Sequence, residues 1–70
     1  MIKGKKARAE YIDRRARELA ESGNYKDWMS IEIAIRGEGF PEARQLLDSR
    51  FLRQELNELC KFARENKKAD

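Results

Sequence analysis

The 70-residue chain reads as an all-α protein, a compact bundle of four helices with a short third one. Three observations predict this. The chain holds only four Gly and one Pro, too few breakers for a string of short strands. Apolar residues recur at three- and four-residue spacing along most of its length, the period of a helix with one buried face. Stop and start signals separate these segments, most plainly in GEGFPEARQLL at 37–47, where glycines and the only proline run straight into helix formers. A chain of this length makes one domain, 1–70, with a small core. The polar ends, about 1–4 and 67–70, are expected to fray.

The first helix is placed at 5–21. Ala9, Ile12, Ala16, Leu19 and Ala20 share one narrow, alanine-rich face that lets a neighbouring helix approach closely. On the outer side Glu10–Arg14, Arg14–Glu18 and Arg17–Glu21 have i,i+4 spacing, each pair contributing a few tenths of a kcal/mol. Gly23 suits the left-handed residue that ends a helix.

The second helix is placed at 25–36, with Asn24 as its cap and Asp27 adding negative charge to its first turn. Trp28, Ile31 and Ile35 form one stripe flanked by Tyr25. The same segment carries a competing signal, because Ile31, Ile33 and Ile35 also alternate as a β-branched strand does. A lone strand at 30–36 finds no partner elsewhere in the chain and pairs only with a copy of itself, so the helix is preferred. Gly37 is read as its end, and Pro41 as the first residue of a third helix at 41–48, where a missing N–H costs nothing. Asp48 and Ser49 are cap candidates for the fourth helix, 50–66. Its apolar half carries Phe51, Leu52, Leu56, Leu59, Cys60, Phe62 and Ala63, and its polar half Arg50, Arg53, Gln54, Asn57, Lys61 and Arg64. The expected core is Ile12, Ala16, Leu19, Trp28, Ile31, Ile35, Phe40, Ala43, Leu46, Leu47, Leu52, Leu56, Leu59, Cys60 and Ala63.

Composition narrows the chemistry. With no histidine, Ser-His-Asp and Cys-His catalysis are excluded and the commonest transition-metal ligand is missing. A single cysteine builds neither a disulfide nor a zinc knuckle, and Cys60 on the apolar face reads as a small core residue. Gly37 and Gly39 lack the third glycine and the βαβ setting of a nucleotide loop. No cofactor and no metal are expected, and the chain is expected not to be an enzyme. The N-terminal MIKGKKARAEY carries charges with no apolar run behind them, so no signal peptide is expected, and no stretch reaches the roughly 18 apolar residues of a membrane span. A cytoplasmic protein is expected. Glu32 and Glu55 sit within or beside apolar stripes. Each reads as a rim carboxylate paired with an arginine, Arg36 serving Glu32, and a small acid–base enzyme would instead need one of them in a cleft.

Two surface features are candidates for function. Met29 and Ile33 are displaced about 100–140° from Trp28 on the second helix, at 100° per residue. Either that helix is central and covered on both sides, or Met29 and Ile33, with Tyr25 and Phe62, receive a protein partner or a second copy of the chain. The other feature is charge. The net +3 is spread unevenly, as +5 over 1–17, −4 over 18–49 and +2 over 50–70. Lys3, Lys5, Lys6, Arg8 and Arg15 form a basic arm that either solubilises the chain or binds nucleic acid.

The segment DWMSIEIAIRGEGFPEARQLL, 27–47, resembles the DNA-binding helix-turn-helix. That resemblance implies base reading by the helix after the turn, with Arg44 and Gln45 as readers. Glu42 and Asp48 would then face phosphates with the wrong sign, and the acidic centre of the chain opposes the reading. The blocks SGNYKDW and GFPEARQLLD resemble those of small helical bacterial proteins, a resemblance that implies no activity. The leading expectation is a small non-catalytic interaction module that binds a protein or itself. The alternative is a nucleic-acid-binding module using the basic arm and the helix-turn-helix-like segment.

Overall fold

A computed structural model describes residues 4–69, with side chains through Asn66. Its elements are α1 (Lys5–Glu21), α2 (Trp28–Gly37), α3 (Ala43–Leu46) and α4 (Arg50–Ala69), with no strand among the described residues. The all-α expectation holds, and 30–36 is helical rather than a strand awaiting a partner. Lys3 lies outside the described residues.

Helix α1 is followed by Ser22 and by Gly23 at φ 79, the left-handed conformation expected there. It pairs Arg17 with Asp13 and Arg15 with Glu18, not the expected i,i+4 partners. Arg17 also reaches across to Glu55, and Arg15 to Glu38, because packing offers those carboxylates from other elements.

Helix α2 starts three residues later than expected. Asp27, in extended conformation, is its cap, and the Asp27 carboxylate accepts from Ser30 N at 3.1 Å and Ser30 Oγ at 3.2 Å. The Trp28 N–H donates to Asn57 Oδ1 at 2.9 Å, so another donor of the first turn is satisfied from α4. Gly37 is the last helical residue and not the stop. Glu38 caps the helix, and Gly39 takes the left-handed turn at φ 102.

Helix α3 is a single turn, shorter than the expected 41–48. Pro41 lies in the turn before it, where Ala43 N–H donates to Phe40 O at 3.0 Å. Ser49 caps α4 through a bond from Leu52 N–H to Ser49 Oγ at 3.3 Å, while Asp48 is drawn to Arg53 at 2.8 Å. Helix α4 runs to Ala69, beyond the expected end at 66 and through most of the tail expected to fray.

The helices bury Ile12, Ala16, Leu19, Ala20, Ile31, Ile35, Ala43, Leu47, Leu56 and Cys60 together, with Tyr11, Tyr25, Trp28, Ala34, Phe40, Leu52 and Leu59 half-buried against them. Two expected core residues fall outside this cluster: Ala63 is only half-buried, and Leu46 is 39 % exposed, since a single turn of helix can bury Ala43 and Leu47 but not the side chain between them. Along α1, Arg8 meets Glu42, Arg17 meets Glu55, and Glu21 shares a cleft with Leu59. The partners advance with α1, so α1 and α4 run in the same direction. Helix α2 runs back in the opposite direction against both, its start held at Asn57 and its C-cap Glu38 beside Tyr11 and Arg15.

Candidate functional site: two exposed apolar patches and an occupied basic edge

Helix α2 turns Ile31 and Ile35 inward with no exposure, and this sets where its other residues point. Met29 and Ile33, 53 % and 54 % exposed, stand on the solvent side, one turn apart. The covered-centre alternative therefore does not apply to them. Tyr25 is half-buried against the core, beside the start of the helix. Glu32 is only 8 % exposed and pairs with Arg36 at 3.4 Å, so the expected partner is present although the carboxylate lies deeper than a rim position.

Helix α4 carries a second patch. Leu56 and Cys60 point into the core, and Phe51 and Phe62 are rotated onto a flank, 78 % and 65 % exposed. Their 11-residue separation is three helical turns, so they stand about 20° apart and roughly 16 Å apart along the axis. Phe51 lies in a cleft with Gln54, Glu55 and Glu58; Phe62 lies in one with Glu21, Leu59, Ala63 and Asn66. Phe62 thus stands on the α1-facing flank of α4, beside Glu21. Phe51 is the surface residue the sequence reading missed. The wheel placed it on the apolar half, and only its angle from Leu56, about 140° at 100° per residue, marked it as remote from the core centre.

The charges of α4 are segregated. Glu58 stands with the phenylalanines, and Glu55 Oε1, shut off from solvent and without a hydrogen-bond partner, meets the Arg17 guanidinium as an ion pair. On the opposite edge the Arg53 guanidinium lies 4.0 Å from the Trp28 ring centroid and donates to Leu47 O at 3.2 Å. Lys61 and Arg64 line a cleft there with Lys26 and Glu65.

Two cations of the expected basic arm are engaged within the chain. Arg8 holds Glu42 through two nitrogens, Nη2–Oε1 at 2.9 Å being one contact, and donates to Gly39 O at 3.1 Å. It also lies 4.6 Å from the Phe40 ring centroid, and Phe40 stacks on Tyr11 at 4.8 Å. The Arg8 hydrogen bonds hold the Glu42 carboxyl down at about 2, helped by its own backbone N–H. Arg15 donates to both oxygens of Glu38 at 3.0–3.3 Å, and Tyr11 Oη to the same carboxylate at 3.4 Å. These bonds fasten the loop before α3 onto α1. Lys5, Arg44 and Gln45 are exposed, with Lys5 and Gln45 lining a cleft beside Glu42 and Leu46, and Lys6 is exposed on α1.

Cys60 is fully buried and free. Burial pushes its thiol up, Asp27 adds to the rise and Arg64 opposes it, so the thiolate is suppressed. Among the described residues no group of three metal-ligating side chains occurs, and no helix is long and apolar enough to cross a membrane. Comparison with protein families, with curated proteins and with solved structures found no match.

Proposed function

We propose that this chain is a small non-catalytic interaction module that binds a protein partner or a second copy of itself through apolar side chains held on the outside of a rigid bundle. The observation that carries the reading is the exposure of Met29 and Ile33 on α2 and of Phe51 and Phe62 on α4. These four large apolar side chains stand outside a small core as two pairs, one on each helix, and each pair is apolar surface available for association. The buried faces of both helices are already filled, so burial inside one chain offers these side chains no place. A nucleic-acid role draws less support, because Arg8 and Arg15 spend their charge on Glu42 and Glu38.

The test compares the wild-type chain with Met29→Ser/Ile33→Ser and with Phe51→Ser/Phe62→Ser. Light scattering over a wide concentration range reads self-association, and covalent capture of interacting proteins followed by mass spectrometry reads partners. A loss of mass or of captured protein in either variant, with helicity retained by circular dichroism, is expected. Behaviour of both variants identical to wild type in both assays overturns the reading.

A further inference from the structure

We infer that the Phe51–Phe62 flank of α4, with the neighbouring edge of α1, is a docking groove for a cationic amphipathic helix of another protein. This rests on the proposed interaction role and names the face and the chemistry of its occupant. The two phenylalanines are apolar anchors roughly 16 Å apart, a spacing of three helical turns that a second helix matches when it lies alongside. Leu59, half-buried, continues the apolar floor toward Phe62.

The rim chooses the partner. Glu55 and Glu58 line the cleft at Phe51, and Glu21 the cleft at Phe62. Asp13 joins them through Arg17, which bridges Asp13 and Glu55. Three carboxylates line the two clefts and the Arg17 guanidinium offsets one, which leaves −2 on this face of a chain whose net charge is +3. Arg50, next to Phe51, is exposed about 100° round the helix from it, and four other nearby cations are placed away from this face. Arg14 lies over the Tyr11 ring, Arg53 over Trp28, and Lys61 and Arg64 flank the cleft on the other edge of α4. Glu58 has no ion-pair partner among the described residues and stands between the two phenylalanines. Lysines or arginines flanking the apolar stripe of a docked helix complete these charges.

The same carboxylates disfavour a second copy. A two-fold axis parallel to α4 sets Glu58 against Glu58. A two-fold axis across α4 that matches Phe51 with Phe62 of the other copy sets Glu58 against Glu55 of that copy. Both symmetric pairings bring like charges together beside the anchors.

The experiment uses the full chain and two synthetic helical peptides with the same apolar stripe, one flanked by lysines and one by glutamates, followed by fluorescence anisotropy. The lysine peptide is expected to bind, and the glutamate peptide to bind at least about tenfold more weakly. Phe51→Ser/Phe62→Ser and Glu58→Lys are each expected to weaken the lysine peptide by about tenfold. Both leave helicity intact, since all three residues are exposed. Met29→Ser/Ile33→Ser is expected to leave it unchanged. Equal binding of the two peptides, or indifference to the phenylalanine variant, overturns the inference. So does a concentration-dependent mass that falls in Phe51→Ser/Phe62→Ser, which assigns the groove to a second copy. Effects confined to the α2 variant sink this groove while leaving the interaction role standing.

Discussion

Leu56→Ala and Phe51→Ala form a paired test of the face that α4 buries. Leu56 has no exposure and Phe51 has 78 %, although the residues are five apart on one helix and both are large and apolar. Leu→Ala removes three carbon atoms, about 2.4 kcal/mol at roughly 0.8 kcal/mol per methylene-sized group. The residual cavity raises this to about 3–4 kcal/mol, because the backbones of α1 and α2 cannot fully collapse into it. Phe51→Ala removes a larger side chain that touches mostly water and is expected to change stability by less than about 0.5 kcal/mol. A bundle of this size has only about 3–5 kcal/mol in total, so Leu56→Ala brings it close to the unfolding threshold. Urea titration followed by helical circular dichroism reads both. With a slope near 1 kcal/mol/M for so small a chain, the Leu56→Ala midpoint falls by about 3 M and the Phe51→Ala midpoint barely moves. In heat the Leu56→Ala loss is roughly 12–30 °C. Equal losses for the two variants would refute the assignment, since Phe51 would then be covered in solution. A Phe51→Ala loss that grows with protein concentration would show that another chain covers it.

Further outcomes follow from single contacts. Glu42 has its carboxyl at about 2, well below the ordinary value of 4.5, through Arg8. A depressed carboxyl contributes stability that is complete above the unfolded value and is lost as pH falls from about 4.5 through about 2. Arg8→Met is expected to bring the Glu42 titration, followed by carboxyl chemical shift, back toward the ordinary range; an unmoved midpoint would remove Arg8 as the cause. Asp27→Ala removes the cap that accepts from Ser30 and is expected to cost about 1 kcal/mol in the same urea assay. No measurable change would mean that the first turn of α2 is held by Asn57 alone. Cys60, buried and with its thiol pushed up, is expected to react with a thiol reagent only as fast as the chain opens, so that labelling accelerates steeply with urea. Fast labelling in native buffer would place Cys60 at the surface.

The four helices were legible in the sequence because helix formation is a local matter. Apolar residues at three- and four-residue spacing, the glycine at 23 and the cap at Ser49 act within a turn or two of themselves. The boundaries of α2 and α3 were less legible. Asn24 and Asp27 both have capping side chains, and it is the donation from Trp28 N–H to Asn57, on a distant helix, that fits the start at Trp28. Arg8 and Arg15 looked like free cations because their carboxylates lie 34 and 23 residues away. A wheel drawn for α4 counts Phe51 and Phe62 as apolar and stops there. Which part of an apolar half reaches the core depends on where α1 and α2 pack, and that placed Leu56 and Cys60 inside and the two phenylalanines on the flank. Sequence alone therefore determined the helices and their amphipathic character, through short-range periodicity. Tertiary structure decided which charges are spent and which apolar residues are left over, because packing and ion pairing are settled between segments far apart in the chain.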